Sequence, residues 1–80
     1  MRTIPTINLV ATGLRIKTLM KENGYNVKTI AYLLGTSSQA VYRWLRGETL
    51  PTIDNMVFLA GIFSTTVDEI LVLDYVRVTA

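Results

Sequence analysis

Neither cysteine nor histidine occurs among the 80 residues. No disulfide framework and no thiolate metal site can form, and the commonest zinc ligand and commonest general base are both missing. An enzyme would have to work with carboxylates, lysines, tyrosines or hydroxyls alone, and no constellation of such residues stands out, so no catalytic, metal-binding or cofactor-binding role is expected. Long apolar runs are scarce too. The longest, Met56 to Phe63, has eight residues, against the roughly 20 that span a bilayer. The start, "MRTIPTINLV", carries one positive charge and a proline but no long apolar segment, so it does not read as a signal peptide. A cytoplasmic, nucleoid-associated protein with no membrane partner is expected.

Acidic residues are nearly absent from the first part of the chain. Residues 1 to 47 hold Arg2, Arg15, Lys17, Lys21, Lys28, Arg43 and Arg46 against Glu22 alone, while the remainder sets Glu48, Asp54, Asp68, Glu69 and Asp74 against Arg77. A modest net charge of +2 thus hides a basic portion suited to polyanions and an acidic end turned away from them. Half the residues are hydrophobic and mean hydropathy is +0.37. In one small domain that is more apolar surface than a monomer easily hides, so part of it belongs to a subunit interface.

Apolar spacing divides the chain into short helices. Leu9, Gly13, Ile16, Leu19 and Met20 recur at three- and four-residue intervals, and Gly24 ends that run. Asn26 is a good N-cap for helix two, 27–34, whose Val27, Ile30, Ala31 and Leu34 form one stripe. Gly35 closes it, and Ser37 caps a third helix, 38–46, with Val41, Trp44 and Leu45 inward. Thr52, after Pro51, opens a fourth helix through about Phe63, and Thr66 with Glu69 makes a capping box for a fifth, through about Leu73. The tail 74–80 is rich in β-branched residues and is open to a longer helix, a strand or pairing with a partner. Residues 1–6 read as a flexible arm, within which Arg2 can follow a nucleic-acid backbone.

Two short helices joined by a glycine-containing turn make a helix-turn-helix. Ala31 is small where helix two must approach helix three, Gly35 can take positive φ where the chain reverses, and Val41 points back into the angle. From Gly13 to about Leu71 the chain resembles the phage Cro and repressor type of helix-turn-helix domain, the XRE family. Gly13, Ile16, Gly24, "IAYLLGTSSQAVYRWLRG", Pro51 and "FLAGIFSTTVDEIL" carry the resemblance. It implies an all-α, compact five-helix bundle of the lambda-repressor-like kind, formed as a single domain over 1–80, and a sequence-specific transcriptional regulator, expected to be a repressor.

The chain departs from the family pattern in three places. Val27 stands where the family usually has a phosphate-touching glutamine, leaving Lys28 as the substitute. Met20 and Leu45 stand where the family often has an arginine–glutamate pair, replacing an ion pair with an apolar contact. Thr36 follows the turn glycine where an aliphatic residue is usual.

With Val41, Trp44 and Leu45 inward, helix three turns Ser38, Gln39, Tyr42 and Arg43 outward as candidate base contacts. Gln39 has the reach for adenine and Arg43 for guanine in the major groove of double-stranded DNA. Lys28, Ser37, Arg46, Thr49 and Thr52 are the candidate phosphate contacts, the last two beside the N-terminus of helix four, with Glu48 counting against that spot unless it points away. One recognition helix reads only a few base pairs, so a homodimer on a near-palindromic site is expected. The C-terminal third, with Leu71, Leu73, Tyr75, Val76 and Val78, is its candidate interface. The alternative is a protein-interaction module, such as an antitoxin, that binds a partner protein through this fold.

Overall fold

The computed structural model describes residues 2–79. Its elements run β1 (Arg2–Ile7), α1 (Leu9–Glu22), α2 (Val27–Leu34), α3 (Ser38–Leu45), α4 (Ile53–Ile62), α5 (Val67–Ile70) and β2 (Leu73–Val78). Every helix starts on a side chain that accepts a backbone N–H: Asn8 from Ala11, Asn26 from Thr29, Ser37 from Ala40, Thr52 from Asn55 and Thr66 from Glu69. Each cap satisfies one of the donors a helix start leaves orphaned, which is why these polar residues set the boundaries.

Between α2 and α3 the chain reverses through Gly35, whose φ of 64° is left-handed. The N–H of Thr36 then donates back to the Ala31 carbonyl at 3.0 Å, closing the end of α2. Ile16, Leu19 and Met20 of α1, Ile30 and Ala31 of α2, Val41 and Trp44 of α3, Met56, Leu59 and Ala60 of α4, Phe63 and Ile70 form the core. Tyr25 meets Phe63 edge to face, ring centroids 6.0 Å apart, closing the α4 side. Gly13 marks the closest approach: a Cβ there would lie 2.9 Å from the Leu45 carbonyl oxygen and closer still to that of Trp44. The α1 helix therefore lies directly against the C-terminal end of α3.

The described residues form five helices, but with a two-stranded sheet beside them the fold is not all-α. The segments expected as an arm over 1–6 and a tail over 74–80 pair as an antiparallel two-stranded ribbon, from Arg2 opposite Val78 to Ile7 opposite Leu73, while Met1 and Ala80 lie outside the described residues. The fifth helix stops at Ile70 rather than near Leu73, because Leu71 turns to extended backbone (φ −72°, ψ 130°) and feeds β2.

The ribbon is tied to the helical body at its base. Asn8 N–H donates to the Val72 carbonyl at 2.8 Å, and Val72 N–H donates to the hydroxyl of buried Thr12 at 3.0 Å. The Asn8 amide reaches the Asp74 carboxylate at 3.2 Å while its oxygen caps α1. Among the described residues no helix is long and apolar enough to cross a membrane.

Candidate nucleic-acid interface

The α3 helix divides cleanly into two faces. Val41 and Trp44 are buried on one, and Gln39, Tyr42, Arg43 and Arg46 lie exposed on the other, one helical turn apart in two rows. Those four side chains line a single open depression. Ser37 and Ser38 sit exposed at the amino end of the same helix. The Ser37 hydroxyl oxygen accepts the Ala40 N–H at 3.1 Å, so its cap role uses an acceptor and leaves the O–H free to donate. No acidic residue occupies the first turn of α2 or α3, so the positive ends of both helix dipoles are uncompensated.

A second, apolar-floored groove runs beside this face, with Met20, Val27, Tyr42 and Leu45 among its lining residues and Lys17, Lys21, Lys28 and Arg46 at its edge. Met20 and Leu45, read from the sequence as apolar replacements for a charged pair, thus share one groove. Lys17 and Lys21 are not among the contacts read from the sequence, yet the fold gathers them with Lys28 and Arg46. The signal was their four-residue spacing on α1, which sets both on one side of the helix. Their nearness to Lys28 depends on how α1 and α2 each pack against α3.

Arg46 is held by its near neighbour. Its guanidinium donates to the Glu48 carboxylate, with both side chains more than half exposed. That hydrogen bond, reinforced by charge attraction, raises the Arg46 pKa above its ordinary value. Hydrogen bonding to Arg46 and the charges of Arg46 and Arg43 hold the Glu48 carboxyl below the usual range. Glu48 therefore points toward the basic face rather than away from it. Thr49 and Thr52 are exposed in the α3–α4 connection but line neither depression. The Thr52 hydroxyl oxygen accepts the Asn55 N–H at 3.3 Å. Arg15 is committed elsewhere, donating to the Glu69 carbonyl at 2.9 Å and closing the end of α5.

A capped two-helix unit that buries one face of its second helix and offers glutamine, tyrosine and arginines on the other defines a helix-turn-helix DNA-binding protein. The helix-turn-helix family model matches residues 16–70, and the chain belongs to that family. It is a DNA-binding transcriptional regulator of the XRE and Cro type, and the family is one of regulators rather than enzymes. Among solved structures it is similar to the restriction-modification controller protein C.AhdI from Aeromonas hydrophila, at 27% identity and a TM-score of 0.68, over 78% of this chain and 94% of that one. No curated protein matches the sequence.

Proposed function

We propose that the protein is a cytoplasmic, nucleoid-associated repressor that reads a near-palindromic operator as a homodimer joined through its C-terminal third. Each subunit lays α3 in the major groove. Gln39 and Arg43, with Ser38 and Tyr42 beside them, read base edges. Lys28, Ser37, Arg46, Thr49 and Thr52 hold phosphates and fix the register of the helix. The observation that carries this reading is the gathering of Gln39, Tyr42, Arg43 and Arg46 on one exposed face of a helix whose other face is locked into the core by Val41 and Trp44. A controller protein of a restriction-modification system is a fitting neighbour for such a regulator.

Selection of bound sequences from a random duplex pool, followed by affinity of the winner at several salt concentrations, tests it. Enrichment of a palindrome, with affinity falling steeply as salt rises, is the expected result. Weak, uniform binding with no enrichment would sink it. It would favour instead an interaction module of the antitoxin kind, a reading supported by Ile53 and Val57, which stand 77% and 59% exposed one turn apart on α4.

A further inference from the structure

The terminal ribbon has two outer edges, and they are chemically unequal. The Asn8 N–H to Val72 carbonyl bond fixes the phase of the ladder. With the register Arg2–Val78 through Ile7–Leu73, residues of even number exchange hydrogen bonds across the ribbon, and those of odd number turn their N–H and C=O groups outward. Pro5 lies at an outward position opposite Tyr75. Its missing N–H therefore costs the ribbon nothing and instead interrupts the free edge of β1 at its middle. The β2 edge carries no such interruption: Leu73, Tyr75 and Arg77 each present an unpaired N–H and C=O to solvent. Every residue of both strands is exposed, and an isolated two-stranded ribbon of this kind is marginal in water.

We infer that the occupant of the β2 edge is the β2 edge of a second copy, giving a four-stranded sheet in the order β1, β2, partner β2, partner β1. Antiparallel self-pairing about a two-fold axis at Tyr75 uses the strand from Leu73 to Arg77. It sets Tyr75 against the partner subunit's Tyr75, Leu73 against the partner subunit's Arg77, and Asp74 against the partner subunit's Val76. Aromatic residues then meet directly across the strands, and no like charges do. A register centred one residue earlier would place two Asp74 carboxylates face to face, which disfavours it.

The assembly also stops at two. Once the β2 edges are joined, the edges left over belong to β1 and are guarded by Pro5, so the contact closes as a dimer instead of growing into a filament. A foreign strand meeting the β2 edge would gain the same backbone bonds, but only self-pairing brings this guard on both sides.

The inference rests on the dimeric regulator proposed above and is tested separately from it. Tyr75→Pro places a proline where the N–H faces outward, as Pro5 does on the other strand, so the ribbon is retained while the edge is blocked. Tyr75→Thr keeps the edge. In sedimentation of the full chain, the wild type and Tyr75→Thr are expected to dimerise, and Tyr75→Pro to weaken the dimer by more than about tenfold through lost edge bonds. In amide exchange of the wild type, the N–H groups of Leu73, Tyr75 and Arg77 are expected to become protected as concentration rises.

Should Tyr75→Pro lose the cross-strand contacts between β1 and β2, Arg77→Pro, also at an outward position, takes its place. A proline variant with an intact ribbon that dimerises as well as wild type overturns the inference. So does a wild-type dimer whose three amides stay unprotected, or a wild-type protein that remains monomeric even on its DNA. A protein that dimerises through this edge but enriches no DNA refutes the operator reading and leaves the sheet standing.

Discussion

Gly13 and Gly61 both lie inside helices, where replacing glycine by alanine ordinarily gains stability, yet the structure sets opposite signs for the two. In a helix interior alanine is favoured by about 0.8–1.0 kcal/mol. At Gly61 nothing lies within 4 Å of an added Cβ, so Gly61→Ala is expected to stabilise, by less than the full propensity gain because the position is near the end of α4. At Gly13 the added carbon meets backbone, with the Leu45 carbonyl oxygen at 2.9 Å and that of Trp44 closer still.

Ordinary carbon-to-oxygen contacts lie at about 3.3–3.6 Å, so α1 and the end of α3 must part by about an ångström to clear the Trp44 oxygen, against a core that gives poorly. Overpacking of this kind costs about 1–3 kcal/mol. After the propensity gain, a net loss of up to about 2 kcal/mol remains, which for a domain of this size lowers Tm by about 8–16 °C at the upper end. The displaced segment carries Arg43 and Arg46, so DNA affinity should fall as well, even at temperatures where the variant is folded. Thermal unfolding followed by circular dichroism on both variants is the assay. A Gly13→Ala protein that melts at or above the wild-type temperature would refute the close approach of α1 to α3.

Arg43→Ala is expected to cost about 1–3 kcal/mol on the preferred operator and to relax specificity at one base pair; an equal loss on all sequences, read in competition binding, would make Arg43 a phosphate ligand instead. Glu48→Gln frees Arg46 from its carboxylate partner, so affinity for DNA should rise and the slope of log affinity against log salt should steepen by up to about one phosphate contact. No change in a salt titration would mean that Arg46 does not reach the backbone. The same pair gives a small pH dependence. Because Glu48 is held below its ordinary value in the folded protein, its contribution to stability is present above the usual carboxylate range and is lost as pH falls through the lowered value. Glu48→Gln should flatten that part of a stability–pH profile. Ala31→Val puts two methyl groups into a core position where α2 meets α3, and a loss of about 1–3 kcal/mol in denaturant unfolding is expected.

Much of the helical body was legible in the residues because its signals are local. Asn8, Asn26, Ser37, Thr52 and Thr66 cap within three residues of themselves, Gly35 reverses the chain where only positive φ will do, and the inward row of Val41 and Trp44 follows from helical spacing alone. The outward row of α3, from Gln39 to Arg46, is the complement of that inward row and so was readable with it.

Tertiary structure decided the rest. Strands β1 and β2 lie at opposite ends of the chain, have no turn between them and are exposed on both faces, so neither local turn chemistry nor alternating burial announces them. Pairing depends on α1 and α5 delivering Asn8 and Val72 to the same place. The grouping of Lys17, Lys21 and Lys28 with Arg46, and the opposite demands on Gly13 and Gly61, depend likewise on which helices meet and how closely. Capping and periodicity are settled within a turn of helix. Strand partners, shared grooves and clearances belong to residues that only the packed chain makes neighbours.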